Sequence, residues 1–166
     1  MLLQVSNQPL KHDLDFCPCC SSMLYKSCCQ PFHRGSLTAS NAEQLMRSRY
    51  SAFCLGDIDY LQVTLHPNRR RKDDKVELEN TVQRTNWLGL KIIAHQPGLE
   101  EATVEFVAFF NGQPFEQLHE FSRFKKVAGQ WLYTDGDVLP AIKLSRNDSC
   151  FCNSKKKFKK CHGKDL

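Results

Sequence analysis

V-E-F-V-A-F-F-N-G-Q-P-F-E-Q-L-H-E-F-S-R-F, residues 104–124, decides the fold. Val104, Phe106, Ala108 and Phe110 recur at every second position. A half-buried strand shows this period because successive side chains of an extended chain point to opposite faces. N-G-Q-P interrupts the run, and Phe115, Gln117, His119, Phe121 and Arg123 resume it beyond. Strands joined by so short a turn are antiparallel neighbours. If Phe121 faces the core, His119 and Arg123 share its face and Glu120 lies on the other.

Upstream, after Trp87, Leu88, Leu90 and Ile92 alternate with Gly89 and Lys91, and P-G-L-E links this strand to the hairpin. Downstream, V-A-G leads to a fourth strand over 130–134. Before the strands the period is helical. Ser40 or Thr38 stands as N-cap with Glu43 three beyond Ser40, then Leu45, Met46, Tyr50 and Phe53 follow until Gly56. Asp57 caps a second, short helix through Ile58, Tyr60, Leu61 and Leu65, which ends before Pro67. Residues 68–74, with the basic run from Arg69 to Lys72, read as a solvated loop, and a third helix is predicted over 74–84. Helices first and a strand meander after is an α+β order, here a curved four-stranded antiparallel sheet.

The two ends are of another kind. Nine cysteines occur; five lie within residues 17–29, three within 150–162, and Cys54, alone, reads as a small core residue on the apolar side of the first helix. Aligning Cys17 with Cys150 places Cys19 on Cys152, Ser21 on Ser154, Tyr25 on Phe158, Lys26 on Lys159, Cys28 on Cys161 and Cys29 on His162. Both copies read C-x-C-x8-C-[CH], and the one change of ligand type exchanges two residues that replace each other on zinc. Clustered thiols in a reducing compartment point to metal rather than to a disulfide scaffold. Each module is too small to bury a core, so the ion is expected to supply most of its folding energy. Cys20 is a further thiol beside the first set; it reads as a bystander, with a swap into the ligand set as the alternative. His33 reads as a packed or exposed turn residue, with a fallback ligand as the alternative.

The whole chain of 166 residues carries a net charge of +5, and its placement is uneven. From Lys143 onward eight Lys/Arg face two Asp/Glu, while the rest is close to neutral. Thiolate ligands at two filled zinc sites would bring the net charge to about +2, a weak electrostatic case for nucleic acid. Lysines around the thiolates are expected to lower the thiol pKa values and offset an anionic site, or simply to solvate that face. No apolar run approaches the ~20 residues that cross a bilayer, and residues 1–10 lack the pattern of a secretory leader, so the expected location is cytoplasmic.

These residues resemble a known family. The C-x-C-x8-C-[CH] spacing with interior Ser, aromatic and Lys looks like the SEC-C motif, and R-N-D-S-C-F-C-N-S-K-K-K-F-K-K-C-H-G, residues 146–163, is similar to the zinc-binding tail of the SecA translocation ATPase. Copies at both ends, with T-A-S-N-A-E-Q-L-M-R-S-R-Y-S-A-F, L-G-D-I-D-Y-L, L-H-P-N, L-H-E-F-S-R-F and W-L-Y-T-D-G between, resemble the bacterial YchJ family over nearly the whole chain. The resemblance implies a cystatin-like cone of the nuclear-transport-factor-two type over 37–143, flanked by zinc-knuckle modules over 1–36 and 144–166. It implies two zinc ions, on Cys17, Cys19, Cys28 and Cys29, and on Cys150, Cys152, Cys161 and His162. The family pattern has Gly where Cys20, Ser22, Asn153 and Lys155 stand, and Pro at Ser149. Asn takes a left-handed turn readily and Lys does not, so the C-terminal loop is expected to be strained or differently shaped.

The functional expectation is a zinc-binding adaptor whose basic C-terminal module docks on an acidic protein, such as a chaperone or ribosome-associated factor. One alternative is a small-molecule binder or enzyme using the central pocket, with His119, Arg123 and Trp131 as its lining and His66, His95, Glu120 and Asp135 as further acid–base candidates. The other is a nucleic-acid binder using the lysine tail. Arg47 and Arg49 are expected either to pair with sheet carboxylates or to lie on a solvated helix face.

Overall fold

Asn41, not Ser40 or Thr38, caps the main helix, because its side chain is the one that accepts a first-turn backbone N–H. In the computed structural model, which describes residues 16–112 and 114–164, Asn41 Oδ1 accepts the Gln44 N–H at 2.9 Å, and Ser40 instead donates to the Gln44 side chain. The leader reading of residues 1–10 and the start of the first module lie outside the described residues. A short helix α1 (Gln30–His33), which the periodicity did not announce, follows Cys29 directly, with Pro31 in its first turn where no N–H is needed. Helix α2 (Ala42–Leu55) ends at Gly56, whose φ of +76° is the left-handed C-cap conformation. Helix α3 (Ile58–Val63) begins at Asp57, whose carboxylate accepts the Tyr60 N–H at 3.0 Å. Helix α4 (Asp74–Arg84) completes the helical half.

Strands β1 (Trp87–Gln96), β2 (Glu101–Asn111), β3 (Phe115–Val127) and β4 (Gln130–Leu139) form one antiparallel sheet in the order β1-β2-β3-β4. The meander is the expected one, with β1 and β4 longer than the sequence pattern showed. Helices pack on one face, where Leu45, Met46 and Tyr50 of α2 meet Leu90, Ala102, Val104, Phe106, Ala108, Phe124 and Trp131. Each large side chain buried there stabilises the fold by about 1.5–3 kcal/mol.

The face assignment of β3 is the reverse of the expectation built on Phe121. Phe124 is 1% exposed in the helix-facing core, and Glu120 and Ser122 share its side. His119, Phe121 and Arg123 point away from the helices. Arg123 reaches along that outer face to Asp135 at 2.6 Å and to Asp137. A register shift between Arg123 and Phe124 lets β4 keep Trp131 and Tyr133 on the core side.

Among the described residues Arg49 does not pair with a carboxylate directly. It is buried, donates to Leu61 O at 2.8 Å and Thr64 Oγ1 at 2.6 Å, and lies 5.0 Å over the Tyr133 ring. Tyr133 in turn donates to Glu120 at 2.8 Å. Arg47 pairs with Glu43 at 2.9 Å and donates to Cys19 O at 3.0 Å. Two arginines of the basic run are structural: Arg69 donates to Thr134 O, and Arg70 to Leu65 O and Val63 O. Cys54 is half-buried against the core, and burial pushes its thiol up to about 12.

Candidate metal centres

The sequence repeat is also a repeat of backbone hydrogen bonds. Cys17 N–H donates to Met23 O at 2.7 Å, and Cys150 N–H donates to Lys156 O at 2.9 Å. Phe16 bridges Leu24 and Ser149 bridges Lys157, so both copies open as a miniature antiparallel ribbon. Both then close through a single 3-10 turn, Tyr25–Ser27 and Phe158–Lys160, which brings back the second ligand pair. In each knuckle the residue after the second cysteine donates its N–H to the first cysteine's carbonyl, Cys20 to Cys17 at 3.2 Å and Asn153 to Cys150 at 3.3 Å. The amide ring so formed turns both thiols to one point.

The turn requires positive φ at two positions per copy. Cys20 and Ser22 have φ of 60° and 64°; Asn153 and Lys155 have 59° and 61°. The expectation of a differently shaped C-terminal loop is therefore corrected: Lys155 adopts the left-handed conformation despite its Cβ, and the two loops match within a few degrees. The strain is present in both copies, at roughly 1–2 kcal/mol per non-glycine residue.

Four ligand atoms converge in each module, all within 4.8 Å of one another: Cys17, Cys19, Cys28 and Cys29 in one, Cys150, Cys152, Cys161 and His162 in the other. A tetrahedral zinc with Zn–S near ~2.3 Å sets sulfur pairs about 3.8 Å apart, and a sulfur–imidazole pair about 3.6 Å apart. Cys19–Cys28 and Cys28–Cys29 measure 3.6 and 3.9 Å. Cys150–Cys152 and Cys152–Cys161 both measure 3.6 Å, while His162 Nδ1 lies 3.2 and 3.5 Å from Cys150 and Cys161. The donor sets thus fit a tetrahedral ion, and every thiol is free rather than bridged to another, since a disulfide needs S–S of about 2.05 Å.

Hydroxyls attend the sulfurs. Ser21 Oγ lies 3.2 Å from Cys28 Sγ, Ser154 donates to Cys161 Sγ at 3.4 Å, and buried Ser51 of α2 lies 3.4 Å from Cys17 Sγ. The thiols in the first set share protons unequally. Hydrogen bonding from Cys17, first among its neighbours, holds Cys19 far below the usual thiol range and brings Cys28 to about 7, while Cys17 and Cys29 are held far above it by hydrogen bonds to the neighbouring sulfurs. Cys161 is lowered, and the Ser154 hydroxyl, not a lysine, is the leading cause. Burial raises Cys150 to about 11. Hydroxyl donors at bonding distance outweigh lysines whose ammonium groups reach into solvent.

The modules differ in burial. Cys17, Cys19 and Cys29 are buried in the main core beside α2, whereas only Cys150 is buried in the second set. The second module sits on the opposite face of the sheet, where Phe151 stacks on Phe109 at 3.9 Å and 5°, with Phe115 edge-on to both and Phe158 edge-on to Phe115.

His33 and Cys20 stand outside both ligand sets. His33 Nε2 donates to Ser48 O at 2.8 Å, so Nδ1 accepts the Tyr25 hydroxyl at 2.7 Å. This fixes the aromatic residue of the first module, and burial lowers the His33 pKa. Cys20 is not a ligand, as expected, but it has a structural place: its thiol accepts the Leu90 N–H at 3.4 Å and shares its proton between Pro18 O at 3.5 Å and Phe151 O at 3.6 Å. Nothing in the local sequence signals that contact across 131 positions.

The expected pocket of His119, Arg123 and Trp131 is not assembled. His119 lies on the outer face between Pro140 O and Glu105, Arg123 is engaged by Asp135 and Asp137, and Trp131 is in the helix-side core, donating to Ser40 O. The sheet separates Trp131 from the other two. His66 caps a turn at Asn68, and His95 lies 3.7 Å from Glu43. An open groove of about 480 Å³ between α1, α3 and β4 is lined by Phe32, Tyr60 and Trp131, with Asp57 and Asp59 at its side.

Comparison with known proteins matches residues 41–136 to the YchJ middle NTF2-like domain and residues 146–164 to the SEC-C motif. A UPF0225 protein of Pectobacterium carotovorum is 40% identical over 153 residues, spanning 89% of this chain and 97% of its own. A UPF0225 protein of Actinobacillus succinogenes is 42% identical over 151 residues, covering 89% and 96%. Among solved structures, a SEC-C motif containing protein from Rhodopseudomonas palustris superposes with a TM-score of 0.68 at 34% identity, over 72% of this chain and 95% of that one. Another from Psychrobacter arcticus superposes with 0.67 at 32% identity, over 93% and 99%.

Proposed function

The chain belongs to the family that joins a YchJ-type middle NTF2-like domain to a SEC-C motif, and from that premise we propose that it is a cytoplasmic protein-interaction module holding two zinc ions. Zinc in such closed four-ligand sites cross-links a loop and leaves no position open for substrate. The carrying observation is the twice-built tetrahedral ligand geometry, in which all eight predicted ligands converge.

The surface offered to a partner is the outside of the C-terminal module. Phe151 and Phe158 turn toward the sheet, and Lys155, Lys156, Lys157, Lys160 and Lys164 are exposed. Among the described residues none of these lysines forms an ion pair. A lysine-rich cationic face without exposed aromatic rings favours carboxylates of an acidic protein over stacked bases. A chaperone or ribosome-associated factor is a partner of that chemistry. No helix among the described residues is long and apolar enough to cross a membrane.

Native mass spectrometry tests the metal: two zinc ions per chain are expected, lost with a chelator, and near-zero zinc overturns the reading. Immobilised protein then tests the surface. Lys155→Glu, Lys156→Glu and Lys157→Glu together leave all ligands in place and are expected to abolish capture of an acidic protein. Retention unaffected by charge reversal overturns the docking face, and salt-sensitive retention of RNA in its place supports a nucleic-acid role.

A further inference from the structure

The two modules, 133 positions apart in register, touch each other at the edge of the sheet. Strand β1 is an edge strand, and the first module rests on its helix-facing side and the second on its outer side. They meet around it. Ser22 Oγ donates to Asn153 Oδ1 at 3.1 Å, and Cys20 accepts the Leu90 N–H of β1 while sharing its thiol proton between Pro18 O of its own module and the Phe151 carbonyl. The four residues that meet across the modules belong to the knuckles themselves: Cys20 and Ser22 are the left-handed positions of one, and Phe151 and Asn153 sit beside ligands in the other. Below them Gly89 leaves room for the contact. A Cβ on Gly89 would lie 2.3 Å from Phe151 O and 3.0 Å from its ring.

We propose that the two metal sites are thermodynamically coupled through this knuckle-to-knuckle contact over β1, so that filling either site raises the affinity of the other. The inference rests on the reading that both sites bind metal. A knuckle holds its shape only when its four ligands are tied, because the module is too small to order itself. An ordered second knuckle presents Phe151 O and Asn153 to Cys20 and Ser22, which fixes the turn carrying Cys17 and Cys19. The reverse holds equally, since coupling between two binding equilibria is reciprocal. A contact of this size typically changes affinity by a factor of about 5–150.

Gly89 makes the test clean. Its φ is not in the left-handed region, so Gly89→Ala is compatible with a strand, and it alters no ligand; the atoms nearest its methyl are the Phe151 carbonyl and ring, which must give way. Cobalt(II), titrated into the metal-free full-length chain, reports the four-sulfur and three-sulfur-plus-imidazole sites by separate absorption bands. The expected result is that the wild type fills both sites cooperatively. Gly89→Ala is expected to fill both independently, with the first site weakened about tenfold or more. Cys152→Ser, which disables the second site, is expected to weaken the first by the same factor. Two full-strength sites that fill independently in the wild type, unchanged by Gly89→Ala, overturn the coupling and leave the metal reading intact. A wild type that takes up no cobalt and no zinc overturns both.

Discussion

Lys155 is the position where the left-handed turn and the residue type disagree most openly, so it gives the sharpest test of the knuckle geometry. Its φ is 61° and its side chain is exposed, so the Cβ conflict with its own backbone is the main cost it carries. Replacing it with Gly removes that conflict but also a positive charge near thiolates. Lys155→Ala removes the same charge and keeps the Cβ, so the difference between the two variants isolates the backbone. That difference is worth roughly 1 kcal/mol in favour of Gly, at the low end of the left-handed penalty, because Gly gives back some unfolded-chain entropy. Module folding and metal binding are one event, so about 1 kcal/mol corresponds to about fivefold tighter zinc. The assay is competition for zinc with a chromophoric chelator, with Cys152→Ser as the blank for the second site. If Lys155→Ala binds zinc as tightly as Lys155→Gly, the turn is not left-handed and the match between the two knuckles is wrong.

Stepwise chelation is expected to empty the C-terminal site first, because Cys152, Cys161 and His162 are partly exposed while Cys17, Cys19 and Cys29 are buried; native mass spectrometry of one-zinc species, with Cys152→Ser marking each site, reads the order. Arg49→Met removes two short hydrogen bonds from a buried cation whose pKa burial lowers to about 10, and is expected to cost about 3 kcal/mol in urea unfolding; a change below about 1 kcal/mol would show that relief of charge burial cancels them. His33 has its pKa lowered from an ordinary 6.5 by burial, so the folded chain binds this proton less readily than the unfolded one. Its contribution is therefore intact above about pH 6.5 and lost as pH falls below that value. At saturating zinc, His33→Gln is expected to flatten the stability slope on the acid side, and an unchanged slope would assign it to other groups.

Local signals carried far in this chain. Asp57 and Gly56 bounded their helices as capping chemistry requires, and the alternation through 104–124 placed the central hairpin. Periodicity could not say which face of β3 is inward, because both faces hold apolar residues: one meets the helices and the other, at Phe115, meets the C-terminal module. His119 and Arg123 join Trp131 on the core side only if Phe121 faces the core, and Phe124 takes that place instead. Ligand sets were legible because zinc imposes a spacing. The C-terminal loop carries the expected strain at Lys155 without changing shape, because residue preference is a weak guide where four ligands over-determine the backbone. The role of Cys20 was not legible at all, since its partners Leu90 and Phe151 are distant in sequence.

Neither outer strand of the sheet is left bare. Residues Thr64 to His66 bond to Tyr133 along β4, and Cys20 with Phe151 occupies the middle of β1. The second cover depends on knuckles that hold their shape through an ion. A chain whose knuckles open uncovers the outer edge of β1, whose other edge pairs with β2, and a bare strand edge is the template on which β-proteins aggregate. If the proposed metal reading holds, loss of the ion would thus favour self-association through that edge, and the thiol chemistry that builds the modules also guards the sheet against polymerisation.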